Sequence, residues 1–392
     1  MDKRIAIGLI GIGNMGSAHA SVIGISQIAQ MRLEAVCDID AQRLALCLEK
    51  NPGVKGYSDW QELIRDPDVE AVIVAVPHPL HARIAMEALE CGKHVLVEKP
   101  VDISVTKAQA LNEAAHKSGK VFGIMFNQRT NPLFAKARQI VRNGELGDLR
   151  RTVWIITNWF RTQSYYDSGA WRATWSGEGG GVLLNQAPHN LDLWQWVCGM
   201  PEEVTAFCDI AKYHRIEVED DVTIFTRYSN GATGVFITST GEYPGTNRLE
   251  ITGTKGKIVI EDGKLKHWKL REDSQKVSEE AKESFVAIEM EMEETIQTEP
   301  DPAHPGILRN FAEAVLHGAE LLAPGTDGIY ELTLSNAAYL SASRGSVPVS
   351  LPINGEDFDT LLADLIRLSR KKNGEADKKY NQTYHRRWQV RW

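Results

Sequence analysis

The chain has 392 residues, 43% of them apolar and 24% charged, with a formal net charge of −8 and five cysteines. That length suggests about two domains with ample core, and the acidic balance argues against nucleic-acid binding, which is built on an excess of lysine and arginine. Cys37, Cys47, Cys91, Cys198 and Cys208 include no CxxC pair, so neither a disulfide framework nor a cysteine zinc site is signalled. With no signal-peptide pattern and no apolar run long enough to span a bilayer, the expectation is a soluble cytoplasmic protein with no membrane partner and no metal.

Residues 4–10 form an apolar run rich in isoleucine, followed by Gly11-Ile12-Gly13-Asn14-Met15-Gly16 and a helix opening at Ser17. This is the order strand, tight turn, helix. Gly11 allows the turn, Gly13 lets a pyrophosphate approach the backbone, Gly16 lets the helix pack closely, and the helix N-terminus around Asn14 and Met15 is left to bind the anion. A second strand over 33–37 ends at Asp38, 22 residues beyond Gly16 and near the spacing of a ribose-binding carboxylate. Asp38 would accept from the ribose hydroxyls and repel a 2′-phosphate, which favours NAD over NADP.

The alternation continues with helices at 41–49, 58–65, 80–91 and 104–118 and apolar strands at 71–76, 93–97 and 121–125. Such strands, buried on both faces, mean a parallel sheet. Pro77-His78-Pro79-Leu80-His81 reads as an extended loop at the carboxyl edge of that sheet, with Pro77, His78 and His81 beside a nicotinamide ribose. The strand at 93–97 runs into Glu98-Lys99-Pro100, where an open α/β sheet places its ligand. Lys99 is either a reactive amine there or half of a solvated salt bridge. Asn127-Gln128-Arg129 ends the last strand, with Asn127 expected at the cofactor and Arg129 at the substrate.

Beyond a helix at 132–143, strands dominate: 151–160, 203–212, 221–228, 232–238, 248–253, 257–261 and 265–270, several alternating apolar with polar residues. Residues 272–294 are charge-rich and read as an exposed excursion, and helices follow at 307–316 and 328–344. Trp159, Arg161, Tyr165, Tyr166, Trp171, Arg172 and Trp175 fall within seventeen residues. Aromatic faces and guanidinium forks suit a carbohydrate, so Trp159, Arg161, Trp171 and Arg172 are expected at the substrate; the alternative is a sheet core. After Gly179-Gly180-Gly181 a helix over 184–197 would carry Asn185, His189 and Asp192 on one face.

The glycine turn, Asp38, the run from Ala88 into Glu98-Lys99-Pro100 and the segment from Gly179 to His189 together resemble the Gfo/Idh/MocA family of nicotinamide-dependent dehydrogenases. The resemblance implies an α/β protein. Residues 1–126 would be a Rossmann dinucleotide-binding domain with Glu98 and Lys99 at the cofactor, and residues 127–354 an α/β domain on a large open mixed sheet for substrate binding and oligomerisation. The substrate would lie in the cleft between them. It also implies that Lys99 and His189 are the catalytic lysine and histidine, with Asn185 where many members carry aspartate. An amide orients a hydroxyl but cannot hold a proton, so the expected chemistry rests on the lysine and histidine.

The expected reaction is oxidation of a secondary ring hydroxyl of a sugar, glycoside or inositol to a ketone. The alternatives are an NAD-dependent redox glycosidase, an aldose C1 dehydrogenase and a non-catalytic nicotinamide sensor. Residues 355–392 read as a helical extension and a basic, aromatic tail, whose apolar stripe suggests a homo-oligomer contact.

Overall fold

The computed structural model describes residues 3–369, so the end of the helical extension and the basic, aromatic tail at 384–392 lie outside the described residues. The chain divides into two compact units. Of the described residues, the first takes 3–130, 177–179 and 302–332, and the second takes 131–176, 180–301 and 333–369. Residues 127–130, 177–179 and 302–332, placed from sequence in the domain at 127–354, group with the first unit.

In the first unit six strands, β1 (Ile5–Ile10), β2 (Met31–Cys37), β3 (Lys55–Tyr57), β4 (Ala71–Val74), β5 (His94–Val97) and β6 (Phe122–Ile124), form one sheet in the order β3-β2-β1-β4-β5-β6. All pairs are parallel. This is the doubly wound Rossmann order, which reverses direction between β1 and β4 and opens a crevice at the carboxyl ends there. The crossovers are α1 (Asn14–Gly24), α2 (Ala41–Lys50), α3 (Trp60–Arg65), α4 (His81–Glu90) and α5 (Val105–Ser118). Asp40 and Asp59 cap α2 and α3 by accepting from backbone N–H groups of the first turn, which is why those helices begin where they do.

The second unit contributes α6 (Pro132–Arg142), β7 (Leu149–Ile156), α7 (Gln163–Tyr166), α8 (Val182–Asn185) and α9 (Pro188–Cys198). After them come β8 (Glu203–Ile210), β9 (Glu219–Arg227), β10 (Thr233–Ser239), β11 (Asn247–Gly253), β12 (Gly256–Glu261) and β13 (Lys264–Leu270), then α10 (Ser274–Glu280) and β14 (Met290–Ile296). These strands, with β15 (Val349–Ser350), make a nine-stranded sheet in the order β14-β13-β12-β11-β7-β10-β9-β8-β15. Only β7 and β10 pair in parallel. The alternation of the strands buries one face, where Trp194 of α9 packs on Phe236 at 5.4 Å and Phe134 of α6 on Trp154 at 5.5 Å.

The expected excursion at 272–294 is in part structure, since its end enters β14 at the sheet edge with register Lys266↔Glu294 and Lys269↔Glu291. Of the two helices after it, α11 (Ala303–His317) lies within the first unit, and α12 (Gly328–Ser343) begins there and continues into the second. The apolar stripe beyond 355 is partly spent within its own unit. In α13 (Gly355–Leu368), Phe358 and Leu362 are buried and Phe358 stacks on Tyr339 at 6.1 Å, while Leu368 is 74% exposed.

Candidate functional site

The first unit supplies a dinucleotide cradle. Gly11 has φ +91°, and a Cβ there would sit 2.4 Å from the Ala75 carbonyl oxygen, while one on Gly16 would sit 1.8 Å from that of Gly11. Gly16 thus serves the turn itself rather than strand packing. A Cβ on Gly13 would meet nothing within 4 Å, and no side chain caps α1 there. The first N–H groups of α1, around Asn14 and Met15, accordingly face an open space with the positive end of the helix dipole behind them, the physical requirement for holding a phosphate.

Asp38 ties this turn to the end of β2. Its Oδ2 accepts from Ile12 N at 2.6 Å and its Oδ1 from Asp40 N at 2.8 Å. Each oxygen keeps a second lone pair for a hydroxyl. At the end of β6, Asn127 is buried and its Oδ1 has no hydrogen-bond partner among the described residues. A buried acceptor left unmet costs roughly 1–3 kcal/mol, and the donor of a bound carboxamide would satisfy it. Cradle, carboxylate and orphan acceptor together fit a nicotinamide dinucleotide.

Other expected residues take different roles. His81 is buried with Nδ1 2.6 Å from the Pro100 carbonyl oxygen and Nε2 2.8 Å from that of Val76, so it clamps the loops after β4 and β5 and has no nitrogen left for a cofactor. His78 Nδ1 donates to the Glu178 carbonyl at 3.2 Å, and Pro77 beside it is exposed. Arg129 is 1% exposed; its Nη1 donates to Asp327 at 2.7 Å and to the Leu322 carbonyl at 3.1 Å. These two bonds brace the 302–332 segment and occupy the guanidinium group expected at the substrate.

Lys99 is half-buried just beyond β5. The Glu98 carboxylate before it is buried too, with Oε1 accepting from His19 Nε2 at 2.7 Å. Glu98 therefore faces protein rather than cofactor. Burial pushes the Glu98 carboxyl up, but the hydrogen bond and attraction of His19, followed by His304 and Lys99, outweigh it and bring it to about 2. A folded value below the unfolded one stabilises the protein above pH 4.5, and that contribution, roughly 3 kcal/mol, is lost as the pH falls through 2. The stability gap between wild type and Glu98→Gln in urea should therefore narrow by about that amount between pH 5 and pH 2. A gap independent of pH would contradict the pairing.

In the second unit the aromatic and arginine cluster converges on the Tyr165 hydroxyl. It accepts from Arg172 Nη1 at 3.0 Å, Asn185 Nδ2 at 3.2 Å and Gln186 Nε2 at 3.3 Å. The Arg172 guanidinium lies 4.7 Å from the Tyr165 ring centroid and 4.5 Å from that of Trp171, and Arg161 lies 5.3 Å from Tyr165 and 5.6 Å from Trp159. These are cation–π distances. Trp159 is 3% exposed, so it supports Arg161 and offers no open face for a sugar; Trp171 is half-buried.

The helix predicted over 184–197 is broken. Pro188 lacks an N–H and its ring would clash with the Leu184 carbonyl, so α8 ends at Asn185 and α9 restarts at Pro188. Asn185 and His189 therefore lie on separate helices, whereas His189 and Asp192 share α9, where Asp192 Oδ1 accepts from Gln195 Nε2 at 3.0 Å.

Glu219, which the sequence pattern does not single out, holds the turn that leads into α8. Its carboxylate accepts from Gly181 N at 2.8 Å, Leu183 N at 3.0 Å and the Tyr339 hydroxyl at 2.8 Å. Burial lifts it to about 7 in spite of those donors. A Cβ on Gly181 would sit 1.9 Å from the Glu219 carbonyl oxygen, so the turn and this residue are fitted to one another.

Residues 5–126 match the oxidoreductase family Gfo/Idh/MocA, NAD-binding Rossmann fold, and residues 134–259 match a Gfo/Idh/MocA C-terminal domain. The chain is 27% identical over 365 residues to scyllo-inositol 2-dehydrogenase (NAD(+)) of Bacillus subtilis, spanning 90% of this chain and 98% of that protein. It is 27% identical over 292 residues to levoglucosan dehydrogenase of Pseudarthrobacter phenanthrenivorans, spanning 66% of this chain and 74% of that protein. The WlbA dehydrogenase from Bordetella pertussis, solved in complex with NADH and UDP-GlcNAcA, aligns with a TM-score of 0.75 at 25% identity over 90% of this chain and 100% of that one.

Proposed function

Since this chain belongs to the Gfo/Idh/MocA oxidoreductase family and carries its NAD-binding Rossmann fold, we propose that it oxidises a secondary ring hydroxyl of a sugar, glycoside or inositol to a ketone. The observation that carries this reading is the first unit's combination of an uncapped glycine turn, the Asp38 carboxylate and the orphan Asn127 oxygen with a half-buried lysine just beyond β5. Relatives named for inositol and levoglucosan support the substrate class. NAD, when bound, takes up the hydride.

The hydroxyl must lose its proton as its carbon loses hydride, and Lys99 and His189 are assigned to that transfer. Partial burial favours the neutral amine that a base requires. Arg161, Trp171, Arg172 and Asn185 are assigned to the substrate. Asn185 positions a hydroxyl without moving a proton, because an amide is neither an acid nor a base near neutral pH.

The test is a panel of inositols, methyl glycosides, anhydrosugars and free aldoses followed for NADH and for product. A ring ketone is expected, with C3 of a glucoside as the first position to examine. An aldonic acid would point to C1 oxidation of an aldose, and activity confined to acyclic alcohols would defeat the assignment.

The cofactor choice has its own expected result. Asp38 is buried against the turn, and exposed Arg43 pairs with Asp40 at 3.5 Å, away from a neutralising role. NAD should therefore bind at least about ten-fold more tightly than NADP, or about 1.4 kcal/mol. Equal Michaelis constants would contradict the role of Asp38. A homo-oligomer remains part of the proposal, and an unchanged sedimentation coefficient on deleting residues 355–392 would place that contact elsewhere.

A further inference from the structure

Glu98, buried with His19 and His81 in the first unit and edged by half-buried His304, belongs to a group that neither the dinucleotide cradle nor the reaction as proposed uses. His19 comes from α1 and reaches Glu98 at 2.7 Å. His304, from α11, sets its ring edge-on to His19 with centroids 5.8 Å apart. His81, from α4, is held between the carbonyl oxygens of Val76 and Pro100. The second Glu98 oxygen accepts from the Lys99 backbone N–H at 3.3 Å. These histidines are the titratable side chains around the Glu98 carboxylate, and Lys99 follows it directly in the chain.

A carboxylate removed from water is costly unless it is paired, and here the structure devotes a buried histidine to keeping it ionised. Its charge sits one residue from an amine assigned to accept a proton. We propose that Glu98 is a positioning residue that acts through Lys99: its fixed negative charge holds the Lys99 ammonium protonated until a higher pH than burial alone would allow, and so sets where the amine becomes a base. Opposite charges on adjacent residues attract and their coupling is reciprocal, so a buried, ionised Glu98 whose Oε2 lies 3.3 Å from the Lys99 backbone nitrogen favours the protonated Lys99 amine. His304, which burial pushes down to about 4, is neutral near pH 7 and does not cancel that charge. Burial pushes His81 down as well, against the pull of the Pro100 and Val76 carbonyls, and a neutral ring donates to only one of them.

The inference rests on the reading of Lys99 as a proton acceptor, and its test separates the two. Full-length enzyme, without NAD or substrate, is trace-labelled with acetic anhydride across a pH series, and Lys99 acetylation is quantified by peptide mass spectrometry. In Glu98→Gln, which keeps shape and an acceptor for His19 but not charge, the Lys99 inflection should move down by about one pH unit or more. In Glu98→Asp, which keeps the charge, it should stay within about half a unit of wild type; this variant carries the test if the glutamine variant does not fold. An unmoved inflection in Glu98→Gln, or an equal fall in Glu98→Asp, overturns the proposal. The acid limb of kcat/KM should move with the labelling inflection. If labelling shifts and the kinetic limb does not, the tuning by Glu98 stands and the proton-transfer role of Lys99 falls.

Discussion

Lys99→Ala should lower kcat by about 10²- to 10⁴-fold, the usual loss when a positioned acid or base is removed, while the dissociation constant for NAD changes by no more than about two-fold. The two quantities separate because the dinucleotide is assigned to the turn from Gly11 to Gly16, Asp38 and Asn127, and the hydrogen bonds by which Asp38 holds that turn do not involve the Lys99 side chain. Stopped-flow turnover and NAD titration by calorimetry measure them independently. Near-normal turnover in the variant would move proton transfer to His189 alone. Loss of NAD binding in a folded variant would instead make Lys99 a cofactor ligand.

Glu219→Ala should destabilise the protein by roughly 3–5 kcal/mol. The change strands three donors at once, Gly181 N, Leu183 N and the Tyr339 hydroxyl, and each buried donor left unmet costs about 1–3 kcal/mol. The vacated space adds to the cost. Because the same turn leads directly into Asn185, kcat should fall and KM rise in protein that remains folded. Glu219→Gln keeps one acceptor oxygen and should lose about half as much. Urea unfolding of the three proteins decides the matter, and a change below about 1 kcal/mol in the alanine variant would show that the turn is held by something else.

The Rossmann half was legible because its signals are local. Glycine spacing, apolar runs and capping residues all lie within a few positions of the structure they specify, and the strand order follows from the alternation with helices. The second sheet was legible by its period-two pattern. The exceptions have particular causes. β3 is three residues, Lys55-Gly56-Tyr57, too short for any period. β14 reads Met-Glu-Met-Glu-Glu-Thr-Ile and exposes nearly every side chain, so charge conceals a strand held at the edge by Lys269 and Glu293 at 2.8 Å and like pairs. The break before α9 carried a legible signal in Pro188, which periodicity alone overrides.

The site was legible in its residue types more than in their roles. Arg129 pairs with Asp327, 198 positions away, and Glu219 caps a turn 38 positions before it, so neither role has a local signature. His19 and His304 meet only because the chain returns to the first unit after residue 301. Tyr165 stood within the aromatic cluster, but only the fold shows that three side chains share its hydroxyl.

The central claim is net hydride transfer from a ring carbinol carbon to NAD. A preferred substrate from the panel, deuterated at the carbon that becomes the ketone, tests it directly when both products are analysed by mass spectrometry. The account predicts one deuterium in NADH for each ketone formed, with kcat/KM lower than for the protiated compound. Deuterium retained in or returned to the sugar, with release of an aglycone and no accumulation of NADH, would contradict it and identify a transient oxidation in its place.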